Sequence, residues 1–248
     1  MKVGTKSVLF GYHCFFIHPF FVALAWWKLY GFPWDIRLWV AFFVHDIGYW
    51  GKPNMDGPEG ETHPIFGARI MERLFDREFN ERRRREANVK PGVFKIHVPA
   101  LVTFNGEKFV VKAGLTATVP EWHSGNKCQG CTQLDAWFDN DKLCCWGPWG
   151  QFTLLHSRFF ANRMQVKPSK LCVADKYAIV ITPSVLLLPM IILTGEIKEY
   201  MSHNGRTCGA GCTPRQWLRR VRAVVMEFIG STLLEEQTKL ANKQLKTL

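Results

Sequence analysis

The chain has 248 residues, of which 47% are hydrophobic. That is enough for one large domain, or one domain carrying an insertion, and it excludes global disorder. Lys and Arg number 32 against 21 Asp and Glu, a net charge of +11. Such a surplus attracts nucleotides, nucleic acid or acidic membrane surfaces without choosing among them, and is equally that of a basic protein with no polyanion partner.

Lys2 and Lys6 precede an apolar run, Val8 to Trp27, that superficially resembles a signal peptide or a membrane span. His13 and His18 interrupt it, and no small-residue cleavage site follows. A second apolar run, Tyr177 to Leu193, is broken by Pro183 and Pro189. Both are expected to be buried helices and not spans, which favours the cytoplasm and reduced thiols. Ser7 to Tyr30 reads as a helix that is apolar almost all round, so it should be buried. Gly31-Phe32-Pro33 ends it, and Asp35 can cap the next helix, Ile36 to about Tyr49. Residues 52–60 form a loop by their Pro, Gly and Asn content, and a third helix runs from about Thr62 to Phe75.

The character then changes. Arg82-Arg83-Arg84-Arg85 invites a nucleic-acid reading, but Asp76, Glu78, Glu81 and Glu86 surround it, as in a salt-bridged solvated helix. After Pro91-Gly92 the period shifts toward two, and Asn105-Gly106 supplies the turn of a hairpin between Leu101–Phe104 and Phe109–Val111. Helical character returns over about 151–163 and again from Pro168 to about Ile181, followed by an apolar segment to Tyr200. Thr213 and Gln216 have capping-box spacing around Pro214 and open a last amphipathic helix. The expected fold is mainly α. A helical domain over 1–79 and 151–205 is interrupted by a small β-containing, Cys-rich insertion at 80–150, and a C-terminal helix covers 206–248.

The chemistry sits on those helices. His18, His45, Asp46, His63, His156 and Asp175 all fall on or beside elements that should pack together. Imidazole with carboxylate is the ligand set of hydrolytic Mn, Fe, Co, Ni, Zn or Mg sites. His45 and Asp46 are adjacent between apolar flanks, and neighbours on a helix point about 100° apart, so both can reach one ion. Alone, the pair would more often be a core His hydrogen-bonded to a nearby loop.

The pair is not alone, and in order and spacing the motifs resemble the HD phosphohydrolase superfamily. His18 with Phe21-Val22-Ala23 looks like the family's first His helix, and Val44-His45-Asp46-Ile47-Gly48 like its namesake motif. His63-Pro64-Ile65-Phe66-Gly67-Ala68 resembles the third-helix segment, and Ala174-Asp175-Lys176 the closing motif. His156 fits the extra His of two-metal branches. The resemblance covers about 7–76 and 151–201, and implies an HD-type helical bundle with His18, His45, Asp46 and Asp175 around a first metal. Asp46 would bridge to a second held by His63 and His156, and Asp46, His63 and His156 would be catalytic. The implied activity is hydrolysis of a phosphate ester or anhydride by a metal-activated water; the resemblance does not fix the substrate, and a nucleotide is the leading expectation. The chain departs from the family in the length between His63 and His156 and in carrying a single His at 156.

Arg158, Lys167, Lys170 and Lys176 are candidate phosphate contacts, though solvated cations are the commoner reading of each. His13 is an alternative to His18; His97, His123 and His203 read as ordinary, and Asp56, Glu59 and Glu61 as loop carboxylates near His63. Cys128-Gln129-Gly130-Cys131 and Cys144-Cys145, with His123 nearby, could form a structural zinc site, or else hold free or disulfide-bonded thiols. Cys208 and Cys212 could complete either arrangement, while Cys14 and Cys172 read as buried thiols. The competing functions are a nucleic-acid-binding or membrane-associated protein whose His/Asp site is not catalytic.

Overall fold

A computed structural model of the chain describes residues 1–55, 59–79, 81, 93–95, 100–104, 107–111, 116–118, 146–203 and 211–245. The described residues are mainly helical. The chain divides into two compact units, residues 1–75 with 148–248, and residues 76–147.

The first unit holds ten helices among the described residues: α1 Val3–Phe10, α2 His18–Tyr30, α3 Ile36–Val44, α4 His63–Phe75, α5 Pro148–Leu154, α6 Arg158–Arg163, α7 Lys170–Ile181, α8 Ser184–Thr194, α9 Glu196–His203 and α10 Pro214–Leu245. Two short 3-10 turns, Ile47–Tyr49 and Gly60–Thr62, lie between α3 and α4. In the second unit, β1 Val93–Lys95 pairs antiparallel with β4 Thr116–Thr118, and β2 Ala100–Phe104 with β3 Glu107–Val111. Asn105-Gly106, the Arg82–Arg85 run and Cys128, Cys131, Cys144 and Cys145 lie outside the described residues.

Two cores organise the first unit. In one, Val22, Ala25 and Trp26 of α2 pack against Leu171, Ala174 and Ala178 of α7, with Phe42 of α3 and Met71 of α4. Fully buried alanines on both α2 and α7 let those two helices approach closely. In the other, Trp217 and Leu218 at the start of α10 bury against Leu187 and Ile191 of α8, Ile197 of α9 and Tyr12. Arg222 fastens α10 to the end of α7, donating from Nε to the Ile179 carbonyl at 3.0 Å and from Nη1 to Ser184 Oγ at 2.9 Å. The caps follow the sequence. Asp35 accepts from the Arg37 N–H at 2.9 Å, and the Thr213 and Gln216 side chains each accept from the other's backbone N–H. Cys14 and Cys172 are buried and free, whereas Cys212 is disulfide-bonded.

Four local expectations need correction. The helix expected from Ile36 to about Tyr49 ends at Val44, and a 3-10 turn covers Ile47–Tyr49. The helix expected over 7–30 is two helices, because the chain leaves α1 at Gly11 with extended backbone and re-enters a helix at His18, with Pro19 in its first turn. A Cβ at Gly11 would lie 1.7 Å from the Glu196 carboxylate, so a buried acid from α9 occupies the space that a continued helix surface would need. The helix expected over 151–163 breaks at Leu155–Ser157 into α5 and α6. And α2, apolar all round, is not buried all round: Phe20, Leu24 and Trp27 are exposed. No single helix among the described residues is long and apolar enough to cross a membrane; α7 and α8 pass that test only as a pair, bent by 103°.

Candidate metal centre

The breaks in the helices place the polar residues. His18 is the first residue of α2, His45 closes α3, and Asp46 follows at φ −102° and ψ −2°, in the sparsely occupied bridge region common at functional sites. His63 opens α4, His156 sits in the break between α5 and α6, and Asp175 lies in the middle of α7. Glycines close the distance between these segments. A Cβ on Gly48 would lie 1.9 Å from the His63 carbonyl oxygen, and one on Gly67 would lie 2.3 Å from that of Val44. Both neighbours are backbone, which cannot yield as a side chain can, so bare glycines let α4 press against the α3 end and deliver His63 to Asp46. Gly48→Ala is therefore expected to lower unfolding stability by about 2 kcal/mol or more, through overpacking against a rigid carbonyl. Chemical denaturation of the metal-free protein, unchanged from wild type, would sink that account.

All six expected ligand residues converge in one buried cluster. His18, His45, Asp46 and Asp175 offer ligand atoms that all lie within 4.8 Å of one another, and so do Asp46, His63 and His156. In the first set His18 Nε2 is 3.0 Å from Asp175 Oδ1 and 3.3 Å from Asp46 Oδ2, and His45 Nε2 is 3.0 Å from Asp46 Oδ2. In the second, Asp46 turns its other oxygen, with Oδ1 3.4 Å from His63 Nε2 and 3.3 Å from His156 Nε2. The two carboxylate oxygens of Asp46 thus serve two adjoining groups, as a bridging ligand would.

The donor set fits a cation by its tautomers as well as its spacing. Nδ1 of His45, His63 and His156 lies 2.9, 2.7 and 2.6 Å from the carbonyls of Phe42, Gly60 and Thr153. Commitment of the Nδ1 proton to a backbone oxygen turns the Nε2 lone pair toward the cluster, the usual way a protein orients a ligating imidazole. His63 and His156 then face each other Nε2 to Nε2 at 3.1 Å, which is repulsive between two lone pairs unless something positive lies between them. His45 Nε2 and Asp46 Oδ2 are buried without an aligned hydrogen bond, although they are 3.0 Å apart. Ligands about 2.1 Å from one ion stand roughly 3.0 to 3.4 Å from each other in octahedral or tetrahedral arrangement, close to most of these separations.

The electrostatics agree. Burial pulls His45 down, but Asp46 and Asp175 outweigh it and push its pKa up to about 10, so this point favours positive charge. Burial, reinforced by His156, holds His63 well below the usual histidine value, which keeps its lone pair available. Burial opposes ionisation of Asp46 and Asp175, yet His45 beside the first and Lys176 beside the second hold both well below the carboxylate range.

The cluster opens on a cavity of about 310 Å³, lined by His13, Asp46, Tyr49, Glu61, His63, His156, Arg158 and Lys176 among others. Two of the four expected phosphate contacts therefore line it. Lys176 is 2.7 Å from Asp175 Oδ2, and Arg158 is exposed, its guanidinium over the Phe228 ring at 5.8 Å. The other two are not among its lining residues: Lys167 pairs with Glu235, and Lys170 stands over the Tyr30 ring at 4.8 Å. Tyr30 ends the helix that His18 begins, about 18 Å away at 1.5 Å per residue.

Tyr49 and Tyr12 carry no sequence signal, while His13, the alternative to His18, stands second to it in distance. Tyr49 stacks on His63 with ring centroids 3.8 Å apart and planes at 15°, fixing the imidazole. His13 lies 3.9 Å from Asp46 Oδ2, farther than His18, and its Nδ1 is 2.9 Å from Ser7 Oγ and 3.8 Å from Glu196 Oε2. Tyr12 donates from its hydroxyl to the Asp175 carbonyl at 3.3 Å. Compared with family models, curated proteins and solved structures, the chain matches none.

Proposed function

We propose that the chain is a metal-dependent phosphohydrolase of the HD type that cleaves a phosphate ester or anhydride, with nucleotides the preferred class. The observation that carries this reading is the pair of His/Asp groups sharing Asp46, which with His63 and His156 lines a cavity also lined by Lys176 and Arg158. His18, His45, Asp46 and Asp175 would hold one divalent ion, and Asp46, His63 and His156 a second, drawn from Mn, Fe, Co, Ni, Zn and Mg. Bound there, such ions supply Lewis-acid activation of water and neutralise charge on the transferring phosphoryl group.

The chain's own residues do the rest. Arg158 and Lys176 present fixed cations to the phosphoryl oxygens, where negative charge grows as the bond breaks. The Tyr49–His63 stack makes a rigid wall, and the carbonyls of Phe42, Gly60 and Thr153 hold three imidazoles at fixed rotation. A cavity of about 310 Å³ stands at the small end of ligand sites, suited to a monomeric phosphate compound more than to a polymer. We also take the second unit as a β-containing, Cys-rich insertion, with Cys128, Cys131, Cys144 and Cys145 as candidate ligands of a structural zinc.

The direct test strips the protein of metal, reloads it singly with Mn, Co, Ni, Fe, Zn or Mg, and follows phosphate release from a panel of nucleotides and cyclic nucleotides. Release dependent on one or more metals is the expected result, and none from a fully loaded protein would overturn the reading. Arg158→Ala is expected to raise KM about tenfold at unchanged metal content, the usual scale for one charge-assisted contact. A variant that lost metal instead would remove Arg158 from the substrate's surroundings.

A further inference from the structure

The exposed face of α2 points to a second property, independent of the metal centre. Phe20, Leu24 and Trp27 fall within about 60° of one another around the helix axis, and Phe16, in the turn before the helix begins, stands 5.6 Å from the Phe15 ring. Phe16 is 71% exposed, Phe20 55%, Leu24 37% and Trp27 55%. The line does not stop at the helix end: Phe32 is 42% and Trp34 86% exposed. Trp27 touches Phe32 at 5.6 Å between ring centroids, and Phe32 touches Trp34 at 4.5 Å. At the other end Phe20 meets Phe43 at 5.6 Å, and Phe43 meets Phe15 at 5.4 Å. This is a contiguous strip of large apolar side chains, not the scattered single residues that any surface carries.

Its charge surroundings select the occupant. Residues 1–34 contain Lys2, Lys6 and Lys28 and no Asp or Glu, within a chain of net charge +11. The first carboxylate, Asp35, is engaged by Arg37 at 2.7 Å. A second copy of the chain would bring equal positive charge to the same face, so self-association works against Coulomb repulsion. A nucleic-acid platform interleaves cations with its stacking rings. Here the strip itself holds none, includes Leu24, which offers no π-face, and has at its end an Arg37 committed to Asp35 and to the Trp149 ring at 4.7 Å. Protruding Phe and Trp with the exposed Lys28 on the same helix, and with the one adjoining carboxylate, Asp35, neutralised by Arg37, is the chemistry of an interfacial helix on an anionic bilayer: rings enter the headgroup boundary and the lysine meets lipid phosphates.

We propose that the face formed by Phe16, Phe20, Leu24, Trp27, Phe32 and Trp34 docks the protein on the surface of an anionic lipid bilayer, without spanning it. The experiment is sedimentation of the full chain with vesicles of phosphatidylcholine alone or mixed with phosphatidylserine. Wild type is expected to pellet with the mixed vesicles, less so at high salt, as screening weakens the lysine contribution. The triple variant Phe20→Ser, Trp27→Ser, Trp34→Ser is expected to partition at least about tenfold less, since three apolar side chains no longer enter the interface. Equal pelleting of variant and wild type would overturn the proposal, as would no pelleting at all. So would a strip-dependent self-association seen by light scattering, or strip-dependent binding of single-stranded RNA, in the absence of vesicle binding. Should the triple variant misfold, tryptophan quenching of wild type by brominated lipid replaces it: quenching is expected, and its absence rejects the proposal. Phosphate release in solution reports on the metal centre alone, so either reading can fail without the other.

Discussion

Asp46→Ala is expected to abolish phosphate release, by about a thousandfold or more, and to remove most bound metal while far-UV circular dichroism stays near wild type. The carboxylate is the only group within reach of all four histidines His18, His45, His63 and His156 among the described residues, and it turns one oxygen to each set. On the proposed reading, its loss would take a negative ligand from both ions at once, and metal-assisted phosphoryl transfer would have little left to stabilise its charge. The fold is less dependent on it. Asp46 lies between α3 and a 3-10 turn, and the core of α2, α3, α4 and α7 is built from apolar residues that do not include it. In the metal-free protein the main consequence is at His45: its pKa of about 10 rests on Asp46 and Asp175, so removal of one makes the imidazole less basic. A variant that kept full activity and full metal content would refute the assignment of the site.

The second large effect separates the two groups. His63→Ala and His156→Ala are each expected to lower metal content by one ion per chain, to leave the His18–His45–Asp46–Asp175 ion in place, and to cut activity by about a hundredfold or more. If both histidines serve one ion, as proposed, the double variant should lose little beyond either single one, which is the signature of residues acting as a unit. His18→Ala should instead strip the first ion. Metal analysis must be made alongside a separate count for the cysteines. A wild-type stoichiometry of one ion per chain would show that His63 and His156 act on substrate, and their variants would then alter the rate and its pH dependence at constant metal content.

The candidate ligand residues were legible in the sequence because a buried His45-Asp46 pair in an apolar flank is costly without a partner, and because the order and spacing of His18, His63, His156 and Asp175 around it resemble one known pattern. The apolar flank Phe42-Phe43-Val44 before His45 signals burial of that pair, whereas Asp175 is picked out by its motif. Cap chemistry was equally local, at Asp35 and at Thr213 with Gln216.

What lay beyond the sequence depends on contacts between segments far apart in the chain. Glu196, 185 residues after Gly11, occupies the place where a continuous first helix would run, so hydrophobic period alone joined α1 to α2. Tyr49 and His63 stack because Gly48 and Gly67 allow α4 to close on α3, which no local propensity encodes. Lys167 and Lys170 precede Asp175 by eight and five residues, yet their contacts are with Glu235 and Tyr30, while Lys176, one step on, lines the cavity. The same reason governs α2. Its apolar residues run all round the helix, and sequence alone therefore assigned every face to the core. The tertiary structure supplied packing partners for Val22, Ala23, Ala25 and Trp26, and left Phe20, Leu24 and Trp27 exposed. Hydrophobicity specifies that a side chain gains by leaving water, but only the arrangement of neighbouring elements decides which side chains find a place to go.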